Sequence, residues 1–182
     1  CVSVGENLGT VPREIDEGLP RHRIWGTYLA QFQAEKDPKV AAPTEAQQAL
    51  VGTHDTPTLA GWLACNDVAE RVAYGLLADS AVPTVRKDRA RAVRRLARRL
   101  GRDPKDRRAL LTELLEWLGR SESPLVVPWL EDLWLEETRV NLPGTRSSER
   151  PNWQRPMKKL LDEVFGDPEI VALLDRLNRS RS

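Results

Sequence analysis

Cysteine is scarce in this sequence: residues 1 and 65 are the only two, and only two histidines accompany them. That inventory builds neither a disulfide framework nor a convincing zinc site. Long hydrophobic runs are also missing. None approaches the roughly 20 residues a membrane span needs, and no basic stretch leads into an apolar segment at the start, so neither anchor nor signal peptide is expected and the cytosol is the expected compartment. Charge of a dominant sign is lacking too, with 28 Lys and Arg against 27 Asp and Glu for a net charge of +1. The whole-molecule field therefore gives no reason to expect a polyanionic partner. No low-complexity tract or short-period repeat stands out, which removes solenoid and propeller architectures.

What is present suits one domain: 182 residues, 40% of them hydrophobic and 30% charged. The chain begins in an apolar run, Cys1-Val2-Ser3-Val4, with no preceding cap or turn, and so reads as a piece of a longer polypeptide. Val2–Val4 is the first expected strand, and Gly5-Glu6-Asn7-Leu8-Gly9-Thr10 is a glycine-flanked turn in which Thr10 could cap a helix with Pro12 in its first turn. Ile24–Phe32, rich in Trp, Tyr, Thr and Phe, reads as a second strand, and residues 34–46 as a polar loop. Ala49-Leu50-Val51-Gly52 repeats the step, leading into Thr53-His54-Asp55-Thr56-Pro57-Thr58 and a helix from about Leu59.

Beyond Pro83 the pattern turns helical. Val93, Leu96, Ala97 and Leu100 share one face, Leu110, Leu111, Leu114, Leu115 and Leu118 another, and Gly101 and Gly119 supply the stops. Leu125–Leu130 reads as a further strand, Asn141-Leu142-Pro143-Gly144-Thr145 as a turn, and Met157–Phe165 with Ile170–Leu177 as closing helices. Strands alternating with helices predict parallel α/β architecture, with polar loops after the strands at one end.

Two of those loops carry candidate chemistry. Glu6 is a lone carboxylate just after a buried strand, where catalytic groups of parallel α/β folds are exposed; it equally suits a helix N-terminus, whose dipole favours negative charge. His54 and Asp55 follow another strand, and Asp55 could instead cap the helix after Pro57. Two strand-end acids, one beside a His, suit polyhydroxyl substrates, because carboxylates accept sugar hydroxyl hydrogen bonds and shuttle protons.

Val4-Gly5-Glu6-Asn7-Leu8-Gly9-Thr10-Val11-Pro12, Thr53-His54-Asp55-Thr56-Pro57-Thr58-Leu59, and Asn141-Leu142-Pro143-Gly144-Thr145 with Pro151-Asn152-Trp153 resemble, in this order, the C-terminal part of amylomaltase, the bacterial 4-α-glucanotransferase. The resemblance runs from Val4 to about Leu177. It implies that residues 1–182 are the C-terminal part of one catalytic (β/α)8 TIM barrel domain, contributing the last three or four strands with a helical insertion at about 83–120. It also implies retaining transfer of α-1,4-glucan segments between malto-oligosaccharides, without metal or organic cofactor.

By the same resemblance Glu6 matches the acid/base and Asp55 the third carboxylate, which holds hydroxyls of the distorted sugar at the cleavage site. His54 resembles a sugar-hydroxyl ligand, and Asn141 is implied to lie near the cleft, with fixing of its turn as the alternative. The family's nucleophilic Asp lies on a strand before the acid/base. Only five residues precede Glu6, so the nucleophile is expected in the missing N-terminal part of the same polypeptide and this piece alone is expected to be inactive. Asn7 stands where the family usually has Asp.

Two other functional classes are open at this point. A noncatalytic carbohydrate-binding or interaction fragment is one. The other is a nucleic-acid-binding module, since Arg86–Arg108 holds 12 basic and 3 acidic residues, with Arg94 and Arg98 central to that run. Against it, the helix has an ordinary core stripe, and seven acidic residues follow between Ala109 and Glu137 with Arg120 the one base. Among the six Trp, Trp62 and Trp129 are expected in the core, while Trp153 lies in a polar setting suited to stacking on a sugar face.

Overall fold

The computed structural model describes residues 1–181. Four parallel strands, β1 (Ser3–Val4), β2 (Ile24–Leu29), β3 (Gln47–Leu50) and β4 (Leu125–Val127), lie side by side in chain order. Val4 pairs with Trp25, Tyr28 with Ala49, and Ala49 in turn with Val126. An order without reversal is that of a barrel wall rather than of a doubly wound sheet, whose order turns back at a switch point.

Helix α1 (Arg13–Arg21) connects β1 to β2, and α2 (Ala30–Lys36) follows β2 directly. Between β3 and β4 come α3 (Leu59–Ala64), α4 (Asn66–Ala73), α5 (Val82–Leu100) and α6 (Arg107–Gly119). A 3₁₀ turn over Leu130–Trp134, the Asn141–Thr145 turn, α7 (Leu161–Gly166) and α8 (Pro168–Ser180) follow β4.

Alternation along the strands gives the sheet two different faces. Tyr28, Ala49 and Val126 face the helices, where they join the main core with Leu59, Trp62, Leu96, Ile170 and the five α6 leucines. The opposite parity carries Val4, Leu125 and Val127, which are 39%, 40% and 38% exposed although they lie on strands. One sheet face is thus covered by the chain's own helices, whereas the other is covered only in part, with Thr27, Leu29 and Leu50 buried between those exposed positions.

The two long helices form as their stripes predict. All five α6 leucines are fully buried, and α6 starts where the Asp106 carboxylate accepts from the Ala109 amide at 2.9 Å. On α5, Ala92, Leu96, Ala97 and Leu100 are buried, and Gly101 ends the helix at φ +63°. Together they occupy the 83–120 stretch.

Three local expectations are corrected. The second strand stops at Leu29, and Ala30–Lys36 is helical because Ala30, Gln31 and Ala34 supply a buried stripe at helical spacing, which outweighs the β preference of Phe32. Helix α1 begins at Arg13, with Pro12 rather than Thr10 in the cap position and no side-chain cap. Asp55 does not cap α3 either: Thr58 does, its hydroxyl accepting from the Gly61 amide at 3.1 Å.

Candidate active site

Polar loops gather at the C-terminal ends of β1, β3 and β4. After β1 the Gly5 amide donates to Trp25 carbonyl oxygen at 2.8 Å, prolonging the pairing with β2 by one residue. A Cβ on Gly5 would stand 2.7 Å from Leu19 Cδ2, so the end of the Leu19 side chain packs closely over this residue. Glu6 is exposed at the tip. Asn7 beside it uses both ends of its amide: Oδ1 accepts from the Thr27 amide at 2.7 Å, and Nδ2 donates to Asp16 Oδ1 at 2.8 Å. A carboxylate at position 7 would face Asp16 with no proton to give, so the Asn is matched to this neighbour.

The loop after β3 is closed on itself. Thr56 Oγ1 accepts from the Thr53 amide at 2.9 Å and donates to the Thr53 carbonyl at 3.1 Å, while the Asp55 amide donates to Thr53 Oγ1 at 3.3 Å. Its far end is tied outward by Gln31 Nε2, which donates to Pro57 carbonyl oxygen at 3.0 Å, and by Asp132, whose Oδ1 accepts from the Leu59 amide at 2.6 Å. Asp132 is fully buried; burial pushes its carboxyl up to about 7, the neighbouring charge of Glu131 adds to the rise, and the Leu59 bond opposes it.

Asn141 reaches this loop from the segment after β4. Its Nδ2 donates to Asp55 Oδ1 at 2.6 Å, across 86 positions of sequence. On the other side of the same carboxylate, His54 Nε2 lies 3.4 Å from Asp55 Oδ2. The imidazole ring is 5.2 Å from the indole of Trp153 and 6.5 Å from that of Trp129. Trp129 is therefore half-buried beside His54 instead of in the core, whereas Trp62 is buried as expected and donates from Nε1 to Glu35 at 2.9 Å. Trp153 is 60% exposed and held at φ +63°.

The turn that presents Asn141 is clamped from behind. Gly144 takes φ +90°, the Leu142 amide donates to Asn152 Oδ1 at 3.1 Å, and Arg150 Nη1 donates to that same oxygen at 2.6 Å. Arg150 Nη2 also holds the Arg139 carbonyl at 2.8 Å, and Glu70 joins the two guanidinium groups through bonds of 2.7 Å to Arg139 Nε and Arg150 Nε. Arg150 and Glu70 were not among the sequence candidates, and their 80-residue separation leaves no local signal. Beside Asp55 a cavity of about 280 Å³ is lined by Arg71, Leu76, Arg139, Leu142 and Pro143.

His54, Asp55 and Asn141 thus form one cluster, and Glu6 stands apart from it. Glu6 follows β1 and Asp55 follows β3, two strand positions away, or roughly 10 Å at the usual strand spacing. Among the described residues no group of three or more His, Cys, Asp or Glu side chains could hold a metal ion. No helix among them is long and apolar enough to cross a membrane.

Much of the arginine-rich run is engaged within the fold. Arg89 is buried against Asp67 in a two-pronged pair at 2.7 and 2.8 Å, Arg99 lies over Trp117, and Arg102 and Arg107 pair with Glu113 and Glu137. Arg94 and Arg98 are exposed.

Four parallel strands in chain order, joined by helices, form part of a (β/α)8 barrel. The model of the 4-alpha-glucanotransferases, glycoside hydrolase family 77, matches residues 1–162, and the chain belongs to that family. It is 32% identical over 195 residues to the 4-alpha-glucanotransferase of Mycobacterium tuberculosis, an alignment covering 96% of this chain and 27% of that protein. With the Haemophilus influenzae 4-alpha-glucanotransferase it shares 27% identity over 197 residues, covering 100% of this chain and 28% of the other.

Among solved structures, the amylomaltase of Corynebacterium glutamicum superposes with a TM-score of 0.74 at 24% identity, covering 100% of this chain and 29% of that one. The amylomaltase of Streptococcus agalactiae in complex with acarbose does so at 0.65 and 20%, covering 97% and 31%. These two likenesses are of fold. The chain spans little more than a quarter of the length of the curated relatives it matches.

Proposed function

We propose that the chain is the C-terminal part of a cytoplasmic 4-α-glucanotransferase that moves α-1,4-glucan segments between malto-oligosaccharides by retaining double displacement. One observation carries this reading: Asp55 and Asn141, from two separate motifs, meet at 2.6 Å at the rim of a parallel sheet, with His54 and an exposed indole alongside. A carboxylate, an amide and an imidazole offer acceptors and donors for neighbouring sugar hydroxyls, and an exposed Trp suits the apolar face of a pyranose.

In this reading an Asp from the preceding part of the longer polypeptide attacks the anomeric carbon as the C1–O bond to the leaving glucan breaks. Glu6 gives its proton to that leaving oxygen. In the second half the 4-hydroxyl of an acceptor glucan attacks C1, Glu6 takes the hydroxyl proton, and the ester to the nucleophile breaks. Asp55 holds hydroxyls of the sugar as positive charge develops at C1, with His54 and Asn141 completing the hydrogen bonds. Exposed Val4, Leu125 and Val127 are covered by the remaining strands of the barrel, and residues 83–120 are a helical insertion in a single catalytic domain.

The full-length polypeptide assayed with maltotriose tests this, by release of glucose and longer maltodextrins. Glu6→Gln is expected to abolish disproportionation without unfolding the protein, and Asp55→Asn to lower turnover severely. The 182-residue piece alone is expected to be inactive. Near-normal turnover of Glu6→Gln removes Glu6 from the acid/base role, and activity in the short piece overturns the placement of the nucleophile outside it.

A further inference from the structure

The loop bearing His54 and Asp55 is held by three tethers from outside, and two of them come from the same segment. Asn141 grips the Asp55 carboxylate itself, while Asp132, nine positions earlier on the stretch after β4, grips the loop where it enters α3. Asp132 is 0% exposed, and its Oδ1 takes the Leu59 amide, a first-turn donor with no partner inside the helix. Its other oxygen, Oδ2, is buried and has no hydrogen-bond partner among the described residues. A Cβ on Gly52 would stand 3.3 Å from that oxygen, so the end of β3 presses directly on the carboxyl.

For stability alone this is an expensive arrangement, because a buried polar atom without a partner loses its hydration and gains nothing in return. Thr58 already caps α3, so the helix start has a side-chain acceptor without Asp132. What Asp132 adds is registry: it fixes the loop to the segment that also carries Asn141, so that Asp55 and Asn141 meet at one distance.

We propose that Asp132 is a positioning residue for Asp55, holding the Gly52–Thr58 loop in the one placement from which Asp55 can be gripped by Asn141 and face a sugar. This rests on the role assigned to Asp55 above. Displacement of a catalytic constellation by about 1 Å can cost about 100-fold in rate. Asp132→Ala in the full-length enzyme is therefore expected to lower kcat for maltotriose about 10- to 100-fold. Asp132→Asn, which keeps shape and acceptor, should stay within about threefold of wild type.

A merely structural role would lower activity equally in any background, whereas a positioning role acts through Asp55. In an Asp55→Asn background, adding Asp132→Ala is expected to change kcat by less than about threefold. The far-ultraviolet spectrum and thermal midpoint are recorded for every variant, and if Asp132→Ala does not fold, Asp132→Ser, whose shorter side chain falls short of Leu59, takes its place. Wild-type kcat in folded Asp132→Ala, full additivity with Asp55→Asn, or failure of both Ala and Ser variants to fold overturns the proposal. If instead Asp55→Asn itself turns over normally, it is the reading of Asp55 that falls.

Discussion

Asn141 Nδ2 donates to Asp55 Oδ1 at 2.6 Å, joining the loop after β3 to the turn that follows β4. A hydrogen bond to a charged group contributes about 1.5–3 kcal/mol, and this one also fixes which way the carboxylate points. In the full-length enzyme Asn141→Ala is expected to reduce maltotriose turnover about 10- to 100-fold. Asn141→Asp should do at least as much harm, since it sets a second negative charge against Asp55. Steady-state rates of glucose release check both, and wild-type rates in Asn141→Ala would leave Asn141 only its turn.

Arg89 and Asp67 are 7% and 5% exposed, and the guanidinium also donates to the Trp62 carbonyl and stacks on the Trp62 ring at 5.1 Å. Removing one partner of such a pair strands the other, at a cost of about 3–5 kcal/mol. Arg89→Met should lower the unfolding midpoint sharply, and Arg89→Met with Asp67→Leu should recover most of the loss. Denaturant titration of the three proteins is the measurement. Equal stability of Arg89→Met and wild type would mean that the pair contributes nothing net.

Gly61 sits in the first turn of α3, where an added Cβ would overlap the carbonyl oxygen of Glu137. Helix propensity alone favours Ala over Gly by about 1 kcal/mol. Here the obstacle is backbone, which cannot swing aside, so Gly61→Ala is expected to destabilise by about 1–3 kcal/mol. The sign of the shift in thermal midpoint decides which effect wins.

Burial pushes the Asp132 carboxyl up to about 7, from 3.8 in an exposed chain. Between about pH 4 and pH 7 the folded protein thus keeps a proton that the unfolded chain releases, so this group favours unfolding increasingly as pH rises through that window. The penalty is complete above pH 7. Asp132→Asn cannot titrate, and its stability relative to wild type should improve between about pH 5 and about pH 8. Thermal midpoints of both proteins at the two pH values are the check, and an unchanged gap would show that Asp132 ionises in the folded state as it does in the open chain.

Local pattern carried much of this protein. The leucine stripe of α6 and the Val93, Leu96, Ala97 and Leu100 stripe of α5 are read from spacing alone, because a helix must bury its own apolar face whatever it meets. The strand-loop steps around Glu6 and Asp55 are legible for a similar reason, as short apolar runs stop at Gly and polar turn residues. Helix α2 was missed because its buried stripe, Ala30, Gln31 and Ala34, is weakly apolar and sits beside β-favouring aromatics.

The partners were another matter. Composition makes Arg89 part of a basic surface, yet packing of α5 over α4 brings it onto Asp67 and buries it. Nothing near Asp132 in sequence marks it as the acceptor for Leu59, 73 residues away, nor does anything near Arg150 name Glu70. Sequence by itself determined most of the strands, stripes and turns, α2 excepted, since those follow from each residue's near neighbours. The parallel order of β1 to β4 decided which loops share a rim, and hence that Asp55 would meet Asn141, because contacts between distant residues exist only once the sheet has set its register.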